Sequence, residues 1–192
     1  MATFGGFGRR RATDPRLPPG QYLEQGFPVL SAGPTPNIKR WELAVATEAG
    51  TRTWSWEEFL ALPQEQIETD IHCVTSWTKL GTHWTGVSLD VLFDGLDTEH
   101  RFAMASSYGG YTTNLPLDQL LGGKAWVVHR YEGEPLSADH GGPARLFVPG
   151  LYFWKSAKWL HGIQTMAADR RGFWESMGYH GHGDPWREER YA

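Results

Sequence analysis

Cys73 is the sole thiol in this 192-residue chain, set in the run Ile71-His72-Cys73-Val74-Thr75-Ser76-Trp77. A thiol at the end of a strand, among polar neighbours, can ligate a soft or high-valent metal or act as a nucleophile. A lone cysteine is also commonly a small buried apolar residue. A second segment, His140-Gly141-Gly142-Pro143-Ala144-Arg145-Leu146-Phe147-Val148-Pro149-Gly150, combines two glycines with an arginine. The glycines permit close backbone approach to a ligand. The planar fork of Arg145 can hold a phosphate through two parallel hydrogen bonds; the plainer reading is a tight turn with its arginine on a surface carboxylate. The third segment, Lys155-Ser156-Ala157-Lys158-Trp159-Leu160, places two lysines around a serine. It reads as an anion-binding loop to which backbone amides can contribute, or as a solvated basic turn.

Other chemistries lack their signatures. The histidines His180-Gly181-His182, with Asp184 after them, invite a zinc reading, yet neither His-Glu-x-x-His nor Cys-x-x-Cys occurs. Cys-x-x-Cys-His, Gly-x-Ser-x-Gly, a P-loop and Gly-x-Gly-x-x-Gly are all missing, which argues against attached c-type haem, a hydrolase elbow and nucleotide binding of those kinds. A net charge of −4 gives no basis for nucleic-acid binding. Ten tryptophans suit pocket walls as well as a core. One cysteine excludes an internal disulfide. Arg9-Arg10-Arg11 is followed by no apolar stretch, and no apolar run is long enough to span a membrane. No signal peptide and a cytoplasmic location are therefore expected.

The elements that must position these residues are short. Trp41, Leu43 and Val45 alternate with Glu42 and Ala44, as in a half-buried strand. Ser55-Trp56-Glu57-Glu58 fits a capping box opening a short helix. Strands are expected over 67–75 (carrying Cys73), 101–106, 125–131, 145–148 and 162–166, with a turn at Glu132-Gly133-Glu134. Short helices are expected from Ser88 and over 116–121, the latter with Pro116 in its first turn and Gly122 as its stop. Residues 26–40 read as extended and irregular. No β-α-β rhythm appears, which favours an α+β fold over a doubly wound sheet. Residues 1–20 read as a flexible arm; residues 21–192 read as one domain ending in an aromatic-rich tail.

Together the three segments resemble the molybdopterin domain of the sulfite oxidase-like oxidoreductases. The Cys73 segment with Gly81-Thr82-His83-Trp84-Thr85-Gly86-Val87-Ser88-Leu89 carries the resemblance. So do Gly133-Glu134-Pro135-Leu136, leading into the His140 to Gly150 segment, and the Lys155 to Leu160 segment. The resemblance implies mixed β-sheets with short helices and a molybdenum held by molybdopterin, oxo groups and one thiolate, which Cys73 matches. It implies pterin contacts from His140 and Arg145, and a phosphate-holding loop at Ser156, Ala157 and Lys158. N-terminal pterin contacts fall around Gln25 and Phe27, and a further contact at Ser107 or its neighbour Ser106. Tyr179 and His180 are expected near the open metal face. The implied activity is oxygen-atom transfer to or from a small, sulfur-containing substrate, with neither haem nor flavin and with an external electron-transfer partner. The alternative is a non-catalytic binder or carrier of the cofactor. True sulfite oxidases place arginines shortly after the ligand cysteine. Here Lys79 is the first cation, which counts against sulfite and places the Cys-Val-x-x-Trp pattern closer to the bacterial sulfoxide-reductase branch.

Overall fold

A computed structural model describes residues 14–192. The expected arm lies mostly outside these residues, and Arg9-Arg10-Arg11 wholly so. Within the described part of that stretch, Arg16 pairs with Asp14 at 3.3 Å and reaches Asp70 at 3.7 Å.

The chain forms two β-sheets with a few very short helices, the α+β architecture expected. The first sheet grows from the alternating run at Trp41. It contains β2 (Glu42–Thr47), β3 (Gly50–Ser55), β6 (Phe102–Ser107), β7 (Thr112–Pro116) and β11 (Leu160–Met166). Their order is β3-β2-β11-β6-β7, with β11 parallel to β2 and antiparallel to β6. The second sheet contains β1 (Tyr22–Leu23), β4 (Glu65–His72), β5 (Trp77–Ser88), β8 (Trp126–Tyr131), β9 (Glu134–Pro135) and β10 (Arg145–Phe147). β5 is its spine: β4 covers one edge, while β1 and β8 share the other edge at opposite ends.

The helices are local punctuation. Ser55 caps α1 (Trp56–Leu60) through the expected reciprocal pair, Ser55 Oγ accepting from Glu58 N and Glu58 Oε2 from Ser55 N. Such a cap stabilises a helix end by about 1 kcal/mol. Ser88 likewise caps α2 (Leu89–Phe93). The helix expected over 116–121 is instead a single 3-10 turn at Leu117–Gln119. Pro116 has extended backbone (ψ 136°) and ends β7, because Thr113, Asn114 and Leu115 are already committed to sheet pairing and burial. The other helix, α3 (Phe173–Ser176), opens the C-terminal tail.

The main core joins the inner face of the first sheet to α1, α2 and β8, with Leu43, Val45, Phe59, Leu89, Val127 and Ile163 at or near zero exposure. A smaller cluster gathers Ile71, Cys73, Trp77, Trp84, Val128, Leu136 and Phe147, with Phe27 and Phe153 packed against it. No helix among the described residues is long and apolar enough to cross a membrane.

Candidate active site

Cys73 follows the last residue of β4 and opens a tight turn into β5. Its N–H donates to Trp77 O at 2.8 Å, and its carbonyl accepts from Ser76 N at 3.0 Å. Ser76 closes the turn with φ of 74°, in the left-handed region. The sulfur lies in the apolar cluster yet lines a cavity of about 340 Å³. Burial pushes its thiol pKa up, partly offset by Thr75, whose Oγ1 sits 3.2 Å from Sγ. Without a metal the sulfur is therefore a thiol at neutral pH, and ligation as thiolate releases a proton.

Elements of both sheets line the same cavity. Arg145, at the start of β10, is buried and lies 4.1 Å from the Phe153 ring centroid. Its Nη1 donates to His140 O at 2.8 Å and its Nη2 to Ser156 O at 2.6 Å. The fork read as a free phosphate clamp is thus largely spent on stitching the two loops together. Its Nε remains buried without a partner. Lys158 also lines the cavity and donates to Asp139 O. Burial first, then the neighbouring Arg145 charge, pull the Lys158 pKa down to about 8. Neither cation forms a salt bridge among the described residues. Two adjacent cations, neither in an ion pair and one bearing an orphaned buried N–H, give the cavity a positive field that Asp139 only opposes from nearby.

The glycines before Arg145 serve the protein's own packing. A Cβ on Gly142 would lie 2.1 Å from Leu136 O, and one on Gly141, whose φ is +105°, would lie 2.9 Å from Lys158 Cβ. Gly141 thus lets the His140 loop close onto Lys158, and Gly142 lets it pack on the Leu136–Ser137 backbone. Trp159 completes that seam through its N–H to Gly141 O and Nε1 to Ala138 O, at 3.2 and 2.7 Å.

His140 Nε2 lies 3.0 Å from Phe27 O, and its Nδ1 lies 2.9 Å from Ser137 Oγ. A carbonyl accepts but cannot donate, so Nε2 carries the proton; burial lowers the ring's pKa, and the neutral ring's Nδ1 accepts from Ser137. The ring stacks on Phe27 at 4.0 Å between centroids. His140 thereby pins the N-terminal segment, whose Phe27, Pro28 and Leu30 to Pro34 form one cavity wall.

Of the residues singled out from sequence, Cys73, Phe27, His140, Arg145, Ser156, Ala157, Lys158 and Tyr179 line this one cavity. Gln25, Ser107 and His180 do not. The Gln25 carbonyl accepts from Lys79 Nζ, and Ser107 is buried with its Oγ unpartnered. His180 Nδ1 accepts from the backbone N–H groups of His182 and Gly183, both at 3.2 Å. His180 and His182 share Glu189, and no cluster of three metal-ligating side chains occurs among the described residues.

Lys155 is corrected outright. The sequence pairs it with Lys158 in a basic loop, but its ammonium is fully buried against Glu175 at 2.6 Å. Sequence reading also missed the β6–β7 hairpin tip, where Gly109, Gly110 and Tyr111 line the cavity. Tyr108-Gly109-Gly110-Tyr111 was the available turn signal. Four of the ten tryptophans (Trp77, Trp154, Trp159 and Trp174) serve as cavity wall. The half of the lining nearest in sequence to Cys73, together with the hairpin and tail residues Phe173, Trp174 and Tyr179, carries no charged side chain.

Residues 32–174 match the oxidoreductase molybdopterin binding domain family, and the chain belongs to it, in its sulfite oxidase-like branch of molybdopterin oxidoreductases. It is 40% identical over 194 residues to the uncharacterized oxidoreductase YuiH of Bacillus subtilis (strain 168), covering 97% of this chain and 98% of that one. YedZ1 of Azospira oryzae, provisionally named as a protein-methionine-sulfoxide reductase subunit, is 26% identical over 68% of this chain and 50% of its own. Human mitochondrial sulfite oxidase is 26% identical over 85% of this chain and 30% of its own. The chain therefore spans half or less of these two longer relatives. The sulfane dehydrogenase SoxCD of Paracoccus pantotrophus shares the fold, with a TM-score of 0.60 and 19% identity over 67% of this chain and 38% of that one. The chain is thus an oxidoreductase enzyme, which sets the carrier reading aside.

The donor set fits the molybdenum cofactor this family binds. One thiol, two unpaired cations and an orphaned guanidinium N–H share a cavity of ligand size. Anion affinity here should track the Lys158 proton. Sulfate, whose own charge is constant near neutrality, is expected to bind the cofactor-free protein several-fold more weakly as pH rises through about 8. Titration calorimetry on either side of that pH checks this; Lys158→Met should abolish the step.

Proposed function

We propose that this enzyme transfers an oxygen atom to or from a small, uncharged, sulfur-bearing substrate. Cys73 supplies the thiolate ligand of molybdenum, and Arg145 and Lys158 supply the positive field for the cofactor's phosphate. The supporting observation is that the Cys73 sulfur and these two unpaired cations line one cavity. Had the thiol been sealed in hydrocarbon away from them, the reading would have no footing.

The bound cofactor supplies two-electron oxygen-atom exchange at the metal. The chain's own contribution is placement and charge. Ser156 Oγ accepts from Val148 N at 2.9 Å, fixing the phosphate loop against β10, while Arg145 locks that loop to His140. Tyr111, whose OH donates to Trp154 O at 2.6 Å, and Tyr179, stacked on Trp174 at 5.0 Å, supply further aromatic wall to the cavity. In the reductive direction a sulfoxide takes up a pair of electrons and a pair of protons. Its sulfur–oxygen bond breaks, and a thioether and a molecule of water leave. The electrons arrive from an external one-electron carrier.

Both cations that line the cavity are tied to the loops, and the lining on the Cys73 side carries no charged side chain. An anionic substrate would enter a slot whose wall on the Cys73 side is aromatic and apolar, with the guanidinium behind it, Arg190, already engaged by Val74 O. Steady-state assays of the molybdenum-loaded enzyme with a dye donor or acceptor are expected to favour dialkyl or aryl methyl sulfoxides over sulfite in kcat/KM by about 100-fold, equivalent to leaving one charge uncompensated at about 2.7 kcal/mol. Comparable kcat/KM for sulfite would overturn the uncharged-substrate reading. Absence of turnover with every sulfur substrate would overturn the reaction class.

A further inference from the structure

Both ends of the described chain converge on the turn that carries Cys73. From the N-terminal side, Gln21 Nε2 donates to Cys73 O at 3.1 Å and Tyr22 N donates to Ser76 O at 2.8 Å. From the C-terminal side, the Arg190 guanidinium donates Nη1–H to Val74 O and lies 5.0 Å from the centre of the Tyr152 ring. Residue 190 lies beyond the span that matches the family, residues 32–174.

The tail that delivers Arg190 is itself closed. His180 N donates to Arg190 O at 3.1 Å, Asp184 N donates to Glu189 Oε2 at 3.0 Å, and His182 Nδ1 lies 2.8 Å from the same Glu189 oxygen. Tyr152 N donates to Gly183 O at 2.8 Å, which fastens this loop to the segment between β10 and β11. The tied backbone fixes where the side chain starts, and the planar guanidinium loses less freedom per hydrogen bond than a flexible ammonium does.

The bond to Val74 O reaches the sulfur in one step. Val74 C=O and Thr75 N–H belong to a single rigid peptide plane. Thr75 Oγ1 sits 3.2 Å from Cys73 Sγ. Fixing the Val74 carbonyl therefore fixes where Thr75 begins, and Thr75 is the polar side chain in contact with the sulfur. Val74 and Thr75 both line the cavity beside Cys73.

We propose that Arg190 is a positioning residue for the Cys73 sulfur, holding the Val74–Thr75 peptide so that Sγ presents to the cavity in one orientation. The proposal rests on Cys73 being the metal ligand. Its scope is wider than a tie between tail and body, because it predicts that the metal's own electronic environment registers a residue that never touches it.

The test compares wild type, Arg190→Met, Arg190→Lys and Cys73→Ser as molybdenum-loaded proteins, with three readouts. These are the visible absorption of the thiolate–molybdenum unit, pterin content after denaturation, and amide exchange in residues 75–77. Arg190→Met is expected to shift or broaden the absorption while pterin content stays at the wild-type level. It should also speed exchange of the turn amides by about tenfold to a hundredfold, the range set by a hydrogen bond from a charged donor. Arg190→Lys, which keeps a charged donor, should recover most of both effects. Wild-type absorption in Arg190→Met overturns the proposal, with or without faster exchange, since faster exchange alone describes a structural tie. Loss of pterin together with the absorption also overturns it. If Cys73→Ser has the wild-type spectrum, the ligand reading itself fails and takes this proposal with it. Absorption sensitive to Cys73 but blind to Arg190 sinks the proposal alone.

Discussion

Cys73→Ser in the molybdenum-loaded enzyme is expected to lose turnover by well over the roughly 100-fold that substitutions of residues supporting a metal's ligands cost, while the fold survives. Serine is smaller, harder and far less acidic than cysteine, so it neither donates electron density as a thiolate nor deprotonates readily to ligate. The fold should survive because the exchange is nearly volume-conserving, in a satellite cluster of aromatic rings rather than the main core. A cost near 1 kcal/mol shifts Tm by about 2–4 °C in a chain of this size. Two measurements read the outcome: kcat/KM with the best sulfur substrate, and a thermal melt of the same preparation. Retained activity would remove Cys73 from the site. A collapse in Tm would assign it a packing role instead. A third sign comes from protons. Burial holds the free thiol above its ordinary pKa, so ligation as thiolate must expel a proton, and metal loading should weaken as pH falls.

Features set by local chemistry could be read from the chain itself. The capping box at Ser55 and the alternation at Trp41 involve neighbours a few positions apart, and both formed where expected. The resemblance that gathered Cys73, His140, Arg145 and Lys158 into one site led to residues that do share a cavity. Long-range partnerships are where reading the chain ran out. β5, the spine of its sheet, was largely missed. Its burial alternates over residues 81–86, but the buried positions there are Thr82, Trp84 and Gly86, so the residue types do not show the apolar period of two, and both ends are buried by pairing with β1, β4 and β8. Arg145 looked like a free fork because its acceptors are backbone carbonyls, which no side-chain pattern announces. His180 sat three positions before a glycine turn that uses its Nδ1 as a cap, and only the folded tail shows that use. Lys155 looked like Lys158's twin, yet its carboxylate partner lies twenty positions onward.

That buried pair carries the largest expected effect on stability. Lys155 Nζ donates to Glu175 Oε1 at 2.6 Å, to Asn114 O at 2.7 Å and to Gly181 O at 2.6 Å. Glu175 Oε1 also accepts from Thr113 Oγ1 at 2.8 Å and from Trp154 Nε1 at 3.0 Å. One ammonium and one carboxylate oxygen thus join β7, the turn before the phosphate loop, α3 and the tail. Glu175 Oε2 has no partner, so the carboxylate depends on this single charge. Burial works against the Lys155 charge, and Glu175 opposes that effect. Lys155→Met fills similar space but strands a buried carboxylate and two carbonyls, an expected loss of about 3–5 kcal/mol. For a chain of this length that is a fall in Tm of roughly 6–20 °C. Lys155→Met combined with Glu175→Leu removes both charges and should recover a good part of the loss, since an apolar replacement of a whole buried pair is often neutral. Thermal melts of the wild type, the single variant and the double variant decide this. A single variant within about 1 kcal/mol of wild type would mean that water reaches the pair, and a double variant no better than the single would place the cost in the carbonyls instead. The functional link follows from what the pair fastens: α3 and the tail bring Trp174 and Tyr179 to the cavity and carry Arg190 to the Cys73 turn. A stabilised double variant with impaired turnover would therefore separate the two duties of this ion pair, cohesion of the fold and aim of the tail.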